Sequence, residues 1–212
     1  LLMASYAMAH LKLELLLAES GYRPTKDQRL RIYLTNSLEE YHPDTGTLFA
    51  NWLSSEANEA NHVKRDTPVM VVIGNPPYSG HSSNKSKWIE NLIQDYFIEP
   101  SGGRLKEQNA KWLYDDYVKF IRYAQFLIER QEEGVLAFIT NNGYLDNPTF
   151  RGMRYSLLES FNKIYSIDLH GSAKKKESNP YGGLDKNVFD IQQGVTIIVA
   201  VKKRRGKKRE FH

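Results

Sequence analysis

The sequence predicts an α/β fold in which helices cover a mostly parallel sheet. Short apolar runs rich in β-branched residues, such as Val69 to Ile73 and Val195 to Val201, are typical of strands buried on both faces. Helical patterns separate these runs, and that alternation is typical of parallel sheets. A length of 212 residues allows one large domain with an adequate core, or at most two small ones.

The first third of the chain has a less regular pattern. Residues 2 to 18 are rich in Ala and Leu at near-helical spacing, and Gly21 and Pro24 follow them. We expect a helix there, buried on most of its circumference and ended by these two residues. A strand is predicted over residues 31 to 34, and residues 41 to 67 are expected to form a loop or a helix.

The later elements alternate in a regular order. Strands are predicted over residues 69–73, 135–140, 164–169 and 195–201, and helices over residues 88–97, 111–129 and 150–160. A long loop is predicted over residues 171–187, where Lys, Gly, Asn and Pro are frequent. Asp115-Asp116 and Glu132-Glu133, on or beside the long helix, are interpreted as solvated faces rather than as acid–base pairs.

The positive charge of the chain is concentrated in one segment. The chain has 29 Lys and Arg against 25 Asp and Glu, a net charge of +4. Residues 202–212 hold seven of these basic residues and one of the acidic ones, so the rest has 22 basic against 24 acidic side chains. Gly206 within the run predicts a basic hairpin over 202–212, and a nucleic-acid patch is the alternative.

Composition excludes several classes of protein. The chain has no Cys, which excludes a disulfide framework, a Cys-ligated zinc and a thiol nucleophile. Its six His show no metal-ligand spacing, so no metal is expected. No apolar run approaches the ~20 residues that cross a bilayer. We therefore expect a cytoplasmic protein without a membrane partner.

The clearest chemical signal is Asn75-Pro76-Pro77-Tyr78, in a predicted loop over residues 74–80 directly after a strand. Prolines fix the backbone and donate no hydrogen bonds, which leaves the Pro76 carbonyl as an acceptor beside the Asn75 carboxamide. Two adjacent acceptors can orient the N–H bonds of an exocyclic amine. The Tyr78 ring offers a face on which a base can stack, a contact that contributes about 1–3 kcal/mol. A rigid turn without function is the alternative.

The motif and its surroundings resemble the methyltransferases that methylate the exocyclic amine of adenine in DNA, above all the methyltransferase region of type ISP restriction–modification enzymes. The resemblance rests, in chain order, on LLMASYAMAHLKLELLL, IYLTNSLEE, VVIGNPPYSG, GVLAFITNNGYLD and NVFDIQQGVTIIVAV. It implies a Rossmann-like S-adenosylmethionine-dependent methyltransferase sandwich that acts on an adenine flipped out of double-stranded DNA. Residues 1–212 would be the C-terminal part of its catalytic domain, and nuclease, helicase-like and target-recognition regions would belong to the same larger polypeptide.

The resemblance also implies roles for single residues. Asn75 and the Pro76 carbonyl would hold the target amine, and Tyr78 would stack on the adenine. Phe189 is the candidate for a second aromatic wall, and an ordinary core residue is the alternative. Asn36 falls where related enzymes often carry an Asp at the adenine end of S-adenosylmethionine, and it is the candidate cofactor contact. A capping role is its alternative.

One departure from the family pattern concerns the cofactor. The glycine-rich loop after the first strand of the family and the acidic residue that closes the second have no counterpart here, and the chain contains no Gly-x-Gly. We therefore expect the first two strands of the fold to be missing, which would leave strand edges unpaired. The isolated chain is expected to bind S-adenosylmethionine poorly and to be inactive.

Two other functions remain open at this point. The same pair of acceptors suits any planar amine, so the target is alternatively a glutamine amide of a protein or an amine of RNA. A module that binds DNA without catalysis, through the basic hairpin, is the second alternative.

Overall fold

The computed structural model describes most of the chain in two compact units, Leu1–Thr67 and Pro68–His212. The described residues are 3–23, 29–40, 51–78, 80, 82–107, 109–173, 175, 178, 181–183, 185–189, 191–204 and 210–211. Within them no helix combines the length and the apolarity that crossing a bilayer needs.

The first unit contains helices α1 (Met3–Glu19) and α2 (Asn51–Asp66). The predicted first helix is confirmed, and Gly21 ends it with a φ of +80°, where its amide donates to the Ala18 carbonyl. The prediction that this helix is buried was wrong, because none of its residues is buried. An apolar pattern specifies burial only where other elements cover it.

The strand predicted over residues 31–34 is also absent. This described segment pairs with no strand, and the Leu34 amide donates instead to Glu56 Oε1 on α2 at 3.3 Å. Glu56 is buried, and it also accepts a hydrogen bond from Arg29 and one from the Tyr6 hydroxyl. The segment is thus held by one carboxylate rather than by a sheet. Residues 41–67 were expected to form a loop or a helix, and Asn51–Asp66 of this range form helix α2. Residues 41–50 lie outside the described residues.

The second unit is built on a sheet of five described strands. These are β1 (Val71–Gly74), β2 (Gly134–Asn141), β3 (Lys163–Asp168), β4 (Val195–Lys202) and β5 (Glu210–Phe211), in the order β1-β2-β4-β3-β5. The pairs β1–β2 and β3–β5 are parallel, and β4 is antiparallel to both of its neighbours. The α/β class is confirmed, and the sheet is mixed because β4 runs against the other four strands.

The two ends of this sheet differ from the predictions. Strand β1 was expected to be covered on both faces, but Val71 and Ile73 are 57% and 77% exposed. Its position at the edge of the described sheet agrees with the expectation that missing strands leave an edge unpaired. The predicted hairpin over 202–212 was wrong as well, because β5 pairs with β3 and not with β4. A hairpin needs adjacent strands, and here β3 lies between the two. Residues 205–209 of the basic run lie outside the described residues.

Helices α3 (Lys87–Leu92), α4 (Asp116–Glu129) and α5 (Arg151–Ser160) complete this unit. The predicted helix over 88–97 continues beyond α3 as the 3₁₀ turn Ile93–Phe97, and the one over 111–129 is interrupted at Asp115, where the 3₁₀ turn Ala110–Tyr114 ends. The core joins α4 to the sheet through buried apolar side chains, among them Tyr117, Ile121, Ile128, Leu136, Phe138 and Ile198.

A buried polar network links the helices of this core. The Tyr96 hydroxyl donates to Gln125 Oε1 at 2.7 Å. Gln125 Nε2 in turn donates to the hydroxyls of Ser156 and Ser160 at 3.0 and 2.7 Å. The network satisfies polar groups that would otherwise be costly to bury.

Candidate active site

The candidate site lies where β1 and β2 end at the same edge of the sheet. The two strands are parallel and Gly74 is aligned with Phe138, so Asn75 to Tyr78 leave the sheet on the side where β2 ends at Asn141. In open α/β sheets this carboxyl edge is where ligands bind. The predicted position of the motif, directly after a strand, is confirmed.

The four residues of the motif differ in burial. Asn75 and Pro77 are exposed, Pro76 is buried, and Tyr78 is half-buried against the hydrophobic core. Burial raises the pKa of the Tyr78 phenol above its ordinary value, so the hydroxyl stays protonated at neutral pH. Pro76 is therefore enclosed by its neighbours, whereas Asn75 at the start of the motif is exposed.

Tyr78 lines a cavity of about 280 Å³. Asn75, Pro76 and Pro77 precede Tyr78 in the chain and do not line this cavity. Aromatic rings form part of the wall, namely Tyr78, Trp112, Tyr117 and Phe150. Side-chain amides form another part, namely Asn141, Asn142, Asn147, Gln192 and Gln193. Two charged residues, Asp115 and Lys175, also line it. Rings and amides together suit a flat ligand with hydrogen-bonding edges.

Three of these amides are oriented by hydrogen bonds. The carboxamide oxygens of Asn141 and Asn147 accept from the Gly143 and Thr149 amides at 2.7 and 2.9 Å. Asn142 is buried, and its Nδ2 donates to Asp168 Oδ1 at 2.9 Å.

Gly194 permits the close packing of the Asn142 amide. A Cβ at Gly194 would lie 2.5 Å from Asn142 Nδ2, which is inside the contact distance. Asn142 and Gly194 lie in two separate segments of the family resemblance, and no local pattern indicates that they line a site.

Lys175 is the cationic member of the wall. Its Nζ donates to Asp146 Oδ2 at 2.8 Å, and this hydrogen bond lowers the pKa of the Asp146 carboxyl. Among the described residues, no group of three or more His, Asp or Glu side chains could hold a metal ion.

Residues 4–174 match the Eco57I restriction-modification methylase family. The chain belongs to this family. No curated protein has a sequence that matches the chain significantly.

Three solved structures are similar to this chain over nearly its whole length. The ATP-dependent type ISP restriction-modification enzyme LlaBIII bound to DNA is 27% identical with a TM-score of 0.78, covering 99% of this chain and 14% of that protein. The DrdV–DNA complex is 26% identical with a TM-score of 0.74, covering 100% and 20%. A nuclease-deletion mutant of the type ISP enzyme LlaGI, in complex with a DNA substrate mimic, is 24% identical with a TM-score of 0.74, covering 99% and 19%. The chain thus spans a fifth or less of each of these proteins.

Phe189 lies on a loop of this member of the Eco57I family and is 44% exposed. Its amide donates to Asn187 Oδ1 at 2.8 Å, and Asn187 Nδ2 donates to the carbonyls of Gly171 and Gln193. The core interpretation of Phe189 is therefore wrong. The ring does not line the cavity of the described residues, and its role as a second wall stays a prediction.

Asn36 belongs to the first unit, and its side chain closes a turn of its own. Its Oδ1 accepts from the Leu38 amide at 3.1 Å, and its Nδ2 donates to Glu39 Oε1 at 3.1 Å. This is the geometry of an Asx turn and not of a helix cap, because residues 37–39 form a turn and no described helix begins there. With Asn36 engaged in this way and no Gly-x-Gly in the sequence, the described residues do not fit S-adenosylmethionine as a complete site.

Proposed function

We propose that the chain is the catalytic part of a methyltransferase that acts on the exocyclic amine of an adenine flipped out of double-stranded DNA, within a restriction–modification enzyme. The observation that carries this proposal is the Asn75-Pro76-Pro77-Tyr78 motif at the carboxyl edge of the sheet, directly before a cavity with aromatic and amide walls. Membership of the methylase family and the DNA bound in the similar structures support it.

The residues of the motif have distinct roles in this proposal. The Asn75 carboxamide oxygen and the Pro76 carbonyl accept the two N–H bonds of the amine and hold its lone pair away from the ring system. Burial of Pro76 and the rigidity of Pro77 keep these acceptors in place. Tyr78 stacks on the base, whose edge the cavity amides meet. A volume of about 280 Å³ suits one base better than a larger ligand.

We propose S-adenosylmethionine as the methyl donor of the complete enzyme. The described residues do not form its site, so we place the glycine-rich loop and the acidic contact outside these 212 residues, with Asn36 as a secondary contact. The fold is then a Rossmann-like methyltransferase sandwich that lacks its first two strands here. Calorimetry on the isolated chain should show weak cofactor binding, and the methyl-transfer assay should show no activity. Tight cofactor binding would contradict this placement.

We also propose that nuclease, helicase-like and target-recognition regions of one larger cytoplasmic polypeptide surround the chain. The 22 basic and 24 acidic residues outside the basic run give no excess of positive charge for a broad phosphate-binding face. Most DNA contacts are therefore assigned to the other regions.

Methyl transfer by the complete enzyme tests the proposal. Tritium from labelled S-adenosylmethionine should enter duplex DNA, and Asn75→Ala should lower kcat by about 10²–10³, the cost of removing one preorganised group that stabilises transition-state charge. Asn91→Ala, which changes an exposed amide on α3, is the matched control and should leave the rate unchanged. Label in RNA or in protein would favour the alternative amine substrates. If the protein binds DNA and Asn75→Ala does not change the result of the methylation assay, the interpretation as a DNA-binding module without catalysis would be favoured.

A further inference from the structure

Asp115 occupies the N-cap position of α4 but does not cap the helix. Aspartate is among the best N-cap residues because its carboxylate normally accepts from the amides of the first turn. Here the side chain makes no such bond. Its Oδ2 accepts instead from the backbone amide of Gly80 at 3.1 Å, 35 residues earlier in the chain. Asp115 as a residue is only 6% exposed, and its carboxylate contacts a loop residue rather than the first turn of α4.

Gly80 follows the motif by two residues and has a φ of +72°, a conformation that favours glycine. A Cβ on Gly80 would lie 3.7 Å from the Trp112 ring. Gly80, Trp112 and Asp115 all line the cavity beside Tyr78. Asp115 therefore holds Gly80, the second residue after the motif, on the wall of the cavity.

Two further charged residues of α4 hold the same segment. Asp116 Oδ1 accepts from Asn84 Nδ2 at 2.9 Å, and Lys119 Nζ donates to Ser82 Oγ at 2.9 Å and to the Asn84 carbonyl. Asp116 and Lys119 are 8% and 1% exposed. We call Asp115, Asp116 and Lys119 the α4 clamp. The interpretation of Asp115-Asp116 as a solvated face was therefore wrong.

Burying three charged side chains at the start of one helix is costly unless each has a specific partner. The hydrogen-bond partners named here are Gly80, Ser82 and Asn84, which follow Tyr78 by two, four and six residues. The clamp thus ties this segment to the helix that packs against β2, and it fixes where the motif lies relative to the cavity.

We propose that Asp115 is a positioning residue of the methyltransferase site, which acts through Gly80 to hold the motif loop in the shape that binds the base. This inference rests on the proposed function. Acceptors that orient an amine must be placed to within about 0.5 Å, and a displacement of about 1 Å is enough to cost ~10²-fold in rate. Loss of the bond to Gly80 should therefore lower kcat more than it weakens DNA binding.

Two substitutions separate this role from a structural one. Asp115→Ser keeps a good N-cap for α4 but is too short to reach Gly80, so the helix is retained and the clamp contact is lost. Asp115→Asn keeps an acceptor for the Gly80 amide and removes only the charge. Asp66→Ser, which removes an exposed carboxylate on α2, is the matched control.

The complete enzyme is the material for both measurements. Per folded molecule, Asp115→Ser should lower kcat by about 10–100-fold, with KM for duplex DNA changed less than about threefold. Asp115→Asn should lower kcat much less. Asp66→Ser should have the kcat and KM of the wild type. Hydrogen exchange of the Gly80 amide should accelerate in Asp115→Ser only.

If the Gly80 amide of Asp115→Ser exchanges at the wild-type rate, the proposed hold of Asp115 on Gly80 is wrong. If exchange accelerates but kcat is unchanged, Asp115 has no positioning role in catalysis. If the wild type methylates no DNA, the proposed function fails, whereas the exchange measurement still decides whether the clamp exists.

Discussion

Helix α5 approaches the backbone of the 3₁₀ turn Ile93–Phe97 so closely that Gly152 has no room for a side chain. A Cβ there would lie 2.3 Å from the Tyr96 carbonyl oxygen and 2.7 Å from that of Ile98. Both obstacles are backbone atoms, which give way only if the helix or the turn moves. Gly152→Ala should therefore destabilise the protein.

The magnitude follows from two opposing effects. Overpacking typically costs about 1–3 kcal/mol, and contacts this short with backbone atoms favour the upper end. Alanine is better than glycine in a helix by about 1 kcal/mol, which offsets part of that cost. The net loss in the free energy of unfolding should be about 2 kcal/mol, equivalent to a fall in Tm of roughly 4–8 °C for a protein of this size.

Urea unfolding and calorimetry measure this loss directly. The midpoint should fall while the slope of the free energy against urea stays the same, because the surface exposed on unfolding is unchanged. Gly103→Ala is the control: the nearest atom to its Cβ would be Ser101 Oγ at 3.7 Å, an ordinary contact, so its effect should stay within about 0.5 kcal/mol. A Gly152→Ala protein as stable as the wild type would refute the close approach.

Other substitutions examine the cavity and the core. Tyr78→Phe should keep the activity of the complete enzyme and Tyr78→Ala should lower kcat/KM for DNA about 5–150-fold, the equivalent of about 1–3 kcal/mol of stacking. Because burial raises the Tyr78 pKa, its phenol is protonated between about pH 6 and 9, so the rate profiles of wild type and Tyr78→Phe should coincide there; an inflection in the wild type alone would contradict this. Tyr96→Phe should lower the free energy of unfolding by about 1–3 kcal/mol, since it removes the donor to buried Gln125 Oε1, and an unchanged urea midpoint would argue against that network. Gly194→Ala should displace the Asn142 amide and reduce methylation, and full activity would show that this amide is not needed.

The motif could be located from the sequence because its signals are local. A run of β-branched residues that ends in Gly74 specifies a strand, and two prolines after it specify a rigid backbone. The same local patterns placed β2, β3, β4 and most of the helices. They did not indicate that Val71 and Ile73 are exposed, because the apolar pattern of β1 is the same whether or not other elements cover its faces.

The walls of the cavity depend on contacts between distant parts of the chain. Its amides come from the end of β2, from the segment that follows it and from the loop before β4, more than 40 residues further along the chain, and β4 brings them together because it pairs with β2. The sequence gives no local sign that Asn142 and Gly194 are neighbours. Their contact depends on the register of two antiparallel strands, in which Asn141 is opposite Val195.

The sequence alone thus determined the α/β class, the family resemblance and the position of the Asn75-Pro76-Pro77-Tyr78 motif, because each depends on residues close together in the chain. Only the tertiary structure decided what the Asp115 carboxylate contacts. A carboxylate at the start of a helix normally caps it or faces water, and here the fold buries it against an amide 35 residues away. A buried charge must have a partner, and only the folded chain shows that this partner is the loop of the candidate site.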